Sequence, residues 1–560
     1  MSNPCSASPA TPDSAFPARS GCLAVLFAAV ALMTACGGDD AAAPAPSPPA
    51  DALSCAAVAT AGAVTVCGTA TFVSVPNNAV TGALNYAAAS AKPIRGATAE
   101  LLNAAGVTVA TTVTDDSGAY TFSVAGATGD VRVRVRAEMK KTSGAGGQWD
   151  FSVRDNTSGE ALYVLDSAGV VPVVGGVVQR DVRADSGFDG TRYSGTRAAG
   201  PFAVLDVVFD TSKKVLSVSP EQVFPPLRLE WSVKNAPATA ADGSLDVGAG
   251  LIGTSFYTFS ASFGGHVLFL LGQENVDTDE YDSHVVAHEW GHYFQSAFSR
   301  DDSIGGSHTL GDKLDMRVAF SEGWGNAWSG MALGSPIYAD SGQAGQAGGF
   351  IINVALSPAA DDQGWYSEAS VQFLMFNFNA ASTVGFGPIF NVMTGSLKTS
   401  PAFTAMHNFA ALLKAAAPGG VGAINTLLQG QQISQVNDVF GAAETNSGGV
   451  SVALPIYQAA TGQHCVSAEA GLDNKLGTTS FLKFDTTAGS HTLTLSSING
   501  QAGSDPDFVV TASDGSQQFS DGVVPDNETA TLVLPAGTHT LALLDFNLTT
   551  GKRCFNFTVQ

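Results

Sequence analysis

Between about residue 53 and residue 197 the apolar positions fall in short runs, separated by clusters of Gly, Asn and Asp. Residues 64–75, 97–102, 107–113, 119–124 and 131–137 alternate or run apolar, and 149–153, 161–165 and 177–182 continue the series. Asn77-Asn78, Asp115-Asp116-Ser117-Gly118 and the glycines at 126–129 mark turns between them. Short strands at this spacing predict a β-sandwich region over 53–197.

The period changes at Gly200-Pro201. Residues 202–218 carry helical spacing, 227–233 return to strand, and 264–271 form an apolar strand. The acidic turn Asp277-Thr278-Asp279-Glu280-Tyr281-Asp282 leads into a helix. Helical spacing then dominates to about Leu428, with Gly-rich loops between. This predicts an α+β unit over 198–462. From 463 to 560 the pattern is β again, with strands at 480–484, 491–495, 507–510, 529–534, 538–545 and 554–559. A chain of 560 residues exceeds one core, so the expected fold is multidomain: β-sandwich, α+β centre, β-sandwich.

The apolar run 22–33 follows Arg19 and is too short to span a bilayer comfortably, but it suits an export signal. It ends in Met33-Thr34-Ala35-Cys36-Gly37, and small residues before a cysteine resemble a bacterial lipoprotein signal. The resemblance implies a signal peptide at 1–35 and a lipid on Cys36. Residues 36–52, rich in Pro and Ala, then act as a tether. No later segment is apolar for the ~18 residues a span requires. The expected location is the cell envelope, as an outer-membrane lipoprotein or a secreted protein. Four cysteines remain in the mature part, Cys55, Cys67, Cys465 and Cys554. They allow three pairings, of which local with local is the obvious one in an oxidising compartment.

Charge narrows the partners. Acidic residues outnumber basic ones to a net −23, and charged residues are only 13 % of the chain, about half the usual ~25 %. Such a field repels phosphate backbones and anionic headgroups, and no basic run reverses it, so nucleic acid is excluded as a partner. Contact with a membrane is expected only through the lipid.

One segment carries chemistry: Ser283-His284-Val285-Val286-Ala287-His288-Glu289-Trp290-Gly291-His292 contains H-E-x-x-H. On a helix, residues four apart share a face, so His288 and His292 can reach one metal ion while Glu289 stays free to act on water. Asp279 and Asp282 stand where the helix begins, placed to cap it. The preceding strand at 264–271 is expected to be an edge strand able to hold an extended peptide. Thirty residues beyond His292, Ser321-Glu322-Gly323-Trp324-Gly325-Asn326-Ala327-Trp328 offers Glu322 as third ligand, completing a His₂Glu zinc set. His284 is excluded as a ligand. It lies two helical turns from His292, each turn rising ~5.4 Å, and is read as an outer or surface residue. The acidic turn at 277–282 is a weak calcium candidate because it lacks the EF-hand loop; a solvated helix start is the preferred reading.

These two segments resemble the gluzincin metallopeptidases of the thermolysin and fungalysin type. The resemblance implies a zincin-like catalytic domain, one zinc per chain and hydrolysis of proteins or peptides with Glu289 as general base. It also implies a partner for a ligand histidine four residues after the ligand glutamate. Asn326 stands there in place of the family's aspartate. A downstream tyrosine or histidine assists the oxyanion in the family, which points to Tyr366 first and His407 second. Trp290, Trp324 and Trp328 are read as packing around the metal helices. Pro93-Ile94-Arg95-Gly96 with the hairpin Thr114-Asp115-Asp116-Ser117-Gly118-Ala119-Tyr120-Thr121-Phe122 resembles a carboxypeptidase-regulatory-like domain. The 463–560 region resembles the bacterial pre-peptidase C-terminal domain, through Ala488-Gly489-Ser490-His491, Ser504-Asp505-Pro506-Asp507-Phe508 and Pro535-Ala536-Gly537-Thr538. A Cys465–Cys554 bond would tie its first strand to its last. The alternative class is a non-catalytic surface-binding or adhesion protein that keeps the fold, and such a protein has no use for Glu289.

Overall fold

The computed structural model describes residues 63–560 apart from 126–128, 172–175, 435, 499–502 and 523–524. The expected signal peptide 1–35, the tether 36–52, the lipid site Cys36 and Cys55 lie outside the described residues. Cys67 is disulfide-bonded.

The long strand Ala63–Ser74 organises the first region. It pairs antiparallel with Ala119–Ala125 and Ser90–Pro93, and parallel with Val177–Gln179 and Val182–Ala184. A second sheet runs in the order Val164–Asp166, Val131–Arg136, Thr98–Asn103, Thr108–Val113. Val64, Val66, Phe72, Tyr120 and Phe122 from the first sheet share a core with Leu101, Val133 and Val135 from the second. The Asp115 hairpin forms as its sequence dictates. Asp115 Oδ1 accepts from the Ser117 and Ala119 amides at 2.8 and 2.9 Å, and Gly118 takes φ 77°.

The next sheet crosses the boundary expected at 197/198. Its order is Phe256–Ser260, Gly265–Leu270, Leu227–Trp231, Trp149–Asp155, Glu138–Lys141, with Ala161–Leu162 added to Trp149–Asp155. Leu227–Trp231 runs parallel to both neighbours, in register Leu229 with Val153 and Leu229 with Leu268. The strands that carry Leu227, Leu229, Trp231 and Val267 to Leu270 are therefore buried on both faces, as parallel strands require. This corrects the edge-strand expectation. Gly265–Leu270 is interior, and the edge is the antiparallel strand Phe256–Ser260.

Among the described residues there are seven α-helices: α1 Gly200–Leu216, α2 Ser283–Phe298, α3 Met316–Leu333, α4 Glu368–Ala380, α5 Phe386–Asn391, α6 Met406–Ala416 and α7 Val421–Gly430. Pro201 opens α1, where its missing N–H is harmless, and Lys213 and Lys214 close it, where the dipole favours cations. None of the seven is long and apolar enough to cross a membrane by itself. Between α3 and α4 the chain forms a hairpin, Ile337–Gly342 with Gly348–Asn353, where only Gly-rich loop between helices was expected. One hydrophobic core runs from Val64 through α1, α2, α3 and α4 to Ile456, so the first β region and the helical centre are packed as one body.

The C-terminal region has its own core. A five-stranded sheet contributes Leu482, Phe484, Phe508, Val510, Leu541 and Leu543, and a four-stranded sheet contributes Val466, Leu493, Leu495, Leu532, Phe555 and Phe557. Cys465 and Cys554 sit opposite each other on neighbouring strands and are bonded.

Candidate metal centre

His288 and His292 lie one turn apart on α2, and Glu322 reaches them from α3. His288 Nε2 and His292 Nε2 are 3.0 Å apart, and Glu322 Oε2 is 3.3 and 3.4 Å from them. Ligand bonds of about 2.0–2.1 Å in a tetrahedron place donor atoms about 3.3 Å apart. The three atoms thus already hold the spacing of a zinc set, and the donor chemistry fits that ion.

Glycine makes this approach possible. A Cβ on Gly325 would lie 2.8 Å from the His288 ring, and one on Gly323 would lie 2.5 Å from Val371. Both positions are therefore closed to larger residues, and α3 can press against α2 on one side and α4 on the other. Behind the site Trp290, Trp324, Trp328 and Phe294 are fully buried and stacked, with Trp290 and Trp328 centroids 5.3 Å apart.

The outer hydrogen bonds fix both ring tautomers. Asn326 donates its Nδ2 to Glu368 Oε1 at 3.4 Å, so its Oδ1 accepts from His288 Nδ1 at 2.8 Å. Ser321 donates to Gln295 Oε1 at 3.1 Å, so its oxygen accepts from His292 Nδ1 at 3.2 Å. Each ring thereby aims its Nε2 at Glu322, which is the orientation a metal ligand needs.

Glu289 is buried beside the imidazoles and accepts from the Tyr257 amide of the edge strand. Burial raises its carboxyl, outweighing the neighbouring imidazoles. Burial also acts to raise Glu322, but His292 and His308 outweigh it and hold that carboxyl well below its ordinary value. Burial would lower both histidines; the Glu322 charge instead raises His292 to about 9 and, with Glu368, His308 to about 11. The point where these groups meet attracts positive charge.

His308 went unnoticed in the sequence. It lies in the irregular segment between α2 and α3, with Nε2 3.3 Å from Glu322 Oε2 and Nδ1 2.6 Å from Glu368 Oε2. Glu368, the first residue of α4, was missed with it. The two residues expected to assist have hydrogen-bond partners of their own. The Tyr366 hydroxyl bonds to the Gln363 carbonyl and Asn446 Oδ1 at 3.1 and 3.2 Å, and its ring packs on Trp365. His407 is buried against Glu444 at 2.9 Å. His284 is buried too, its Nδ1 3.0 Å from Ser329 Oγ.

The start of α2 departs from expectation. Asp282 holds the cap position but makes no side-chain cap bond. Its carboxylate instead accepts from Asn77 and from the Ser341 amide and hydroxyl at 3.0 and 2.7 Å. Asp279 and Asp282 are buried rather than solvated. They stand with Asp277 and Asp340, one oxygen from each lying within 4.8 Å of the others. Burial, then mutual repulsion, raises Asp277 to about 8, while Asp279 and Asp340 rise well above the ordinary range. In Asp282 burial outweighs its hydrogen bonds and raises the carboxyl to about 7.

No protein-family profile matches the chain, and no curated protein does. Two solved structures are similar to it in part. The pre-peptidase C-terminal domain of a collagenase from Bacillus anthracis shares 9 % identity at TM-score 0.14, over 18 % of this chain and 90 % of that one. A cycloisomaltooligosaccharide glucanotransferase from Paenibacillus sp. shares 10 % identity at TM-score 0.13, over 88 % of this chain and 72 % of that one.

Proposed function

We propose that the chain is an exported zinc peptidase of gluzincin type that hydrolyses peptide bonds in proteins or peptides. The observation that carries this reading is the meeting of His288, His292 and Glu322 at metal-ligand spacing with Glu289 beside them. Binding alone gives no reason to bury a carboxylate next to that set.

His288, His292 and Glu322 would hold the ion, which when bound acidifies water and polarises a carbonyl. Glu289 takes the proton of the attacking water and hands it to the leaving amine. His308 donates to the carbonyl oxygen as charge gathers there, with Glu368 holding its ring from behind. An extended substrate has the free edge of Phe256–Ser260 to pair with. The Cys465–Cys554 bond fits an oxidising compartment outside the cytoplasm, where a chain tethered through Cys36 would work.

The test is metal analysis of the purified full chain, followed by casein hydrolysis with and without a chelator. One zinc per chain and cleavage abolished by the chelator are expected. A chain that takes up no zinc and cleaves nothing overturns the reading.

A further inference from the structure

The segment 299–315 between α2 and α3 has no helix or strand of its own, yet it carries His308 to the cluster. Gly305 and Gly306 take left-handed conformations, φ 61° and 99°, just before it. A stretch this irregular has a large conformational entropy to lose, so something must hold it in place. Its ends are tied to Ser400, Thr404, Gly448 and Tyr366, and around His308 three consecutive residues of the C-terminal region grip it. Asn474 Nδ2 donates to the Gly305 carbonyl at 2.9 Å, and Lys475 Nζ donates to the Ser307 carbonyl at 2.5 Å. The same ammonium pairs with Asp312 at 3.3 Å. The Leu476 amide donates to the Lys313 carbonyl at 2.8 Å, and the Asp315 amide donates to the Asn474 carbonyl at 2.7 Å. Leu314 and Lys475 face each other as an antiparallel bridge. The contacts fall on both sides of His308, at 305 and 307 before it and at 312–315 after it. Below them Arg317 pairs with Asp315 at 2.8 Å, bonds Thr479 at 3.1 Å and lies over the Phe481 ring, so the junction is buried and polar groups are matched across it.

We infer that the C-terminal β module is a working part of the metal site, with Asn474 and Lys475 as positioning residues that hold His308 at Glu322. This rests on the peptidase reading for its kinetic consequence and on geometry alone for its structural one. Loss of the Lys475 ammonium leaves the Ser307 carbonyl and Asp312 without their shared partner. A displacement near 1 Å at a reacting group costs about 10²-fold in rate.

The experiment uses the full chain and the variants Asn474→Ala, Lys475→Ala and Lys475→Arg, with Lys552→Ala, an exposed lysine of the same region with no bond to 299–315, as control. Zinc content, kcat and KM on a casein peptide, and amide hydrogen exchange over 303–312 are read for each. Lys475→Ala and Asn474→Ala are expected to keep zinc, to lose at least about tenfold in kcat with KM within about twofold, and to exchange faster at 303–312 while α2 and α3 stay protected. Lys475→Arg restores most of kcat, and Lys552→Ala behaves as the parent. Unchanged kcat and unchanged exchange in both alanine variants overturn the inference. If the parent binds zinc but cleaves nothing, the peptidase reading fails and the exchange result alone decides the clamp. Should Asn474→Ala fail to fold, Lys475→Ala and its arginine rescue decide in the same way.

Discussion

Glu368 Oε2 stands 2.6 Å from His308 Nδ1, and its other oxygen stands 3.4 Å from Asn326. One carboxylate at the head of α4 therefore supports the cluster from two sides. It backs His308 directly and His288 through Asn326, supplying the charge that a neutral asparagine lacks. Glu368→Gln is expected to weaken zinc retention about tenfold, the lower end for losing an outer partner of a ligand. Competition with a chromogenic chelator measures it, and an unchanged affinity rules the relay out. His308→Ala should keep its zinc and lose about 10²-fold in kcat.

Glu289 is the residue whose role separates catalysis from binding. Glu289→Gln keeps shape and should keep zinc, because none of the three ligands changes. Turnover should fall by at least about 10²-fold. Single-turnover cleavage at saturating substrate reads the effect, and a fully active variant would remove Glu289 as the base.

Gly325→Ala is the smallest change that should damage the site. The new methyl would sit 2.8 to 2.9 Å from three atoms of the His288 ring. Ring displacement is the way out, so zinc affinity should drop at least about 10²-fold for a substitution that adds a single carbon. Gly422→Ala in α7, where a methyl group meets nothing and the backbone is helical, serves as the comparison for metal binding.

The four aspartates around the start of α2 make stability depend on pH. An unfolded aspartate titrates near ~3.9, whereas burial and mutual repulsion raise Asp282 to about 7 and Asp277 to about 8. Between about pH 4 and about pH 8 the folded chain keeps protons that the unfolded chain has released, so this cluster lowers stability as pH rises. Asp340→Asn removes one charge from the group. Guanidinium midpoints at pH 5 and pH 8 should fall less in the variant than in the parent. Parallel falls would mean that the cluster does not control the slope.

The Cys465–Cys554 bond closes a separation of 89 residues. Replacing both cysteines with serine should cost about 2–4 kcal/mol, read from denaturant unfolding of the C-terminal core. An unchanged midpoint would show that strand pairing alone holds the ends of this region.

The strands and helices named from periodicity occur close to where the pattern put them, because alternation and 3.6-residue spacing record which faces are buried. His288, His292 and Glu322 were legible for the same reason, since two ligands share a helical face and the third lies in a second helix. His308 was not. It sits in an irregular segment whose course is set by Asn474 and Lys475, some 170 residues on, and no local spacing encodes that. Glu368 is an acid in the first turn of a helix, a common place for one, and nothing local marks it. Asp340 joins Asp277, Asp279 and Asp282 only because the hairpin Ile337–Gly342 folds back beside them. The shared sheet escaped detection because strand pairing between Trp149–Asp155 and Leu227–Trp231 leaves no mark in either segment.

That pairing has a consequence for maturation. A cut anywhere from 156 to 226 would break the polypeptide yet release nothing, because Phe151 and Val153 remain hydrogen-bonded alongside Leu227 and Leu229 inside a sealed interior. A single cut in that interval would leave a nicked particle in which residues 63–155 stay packed in the same core as the metal helices.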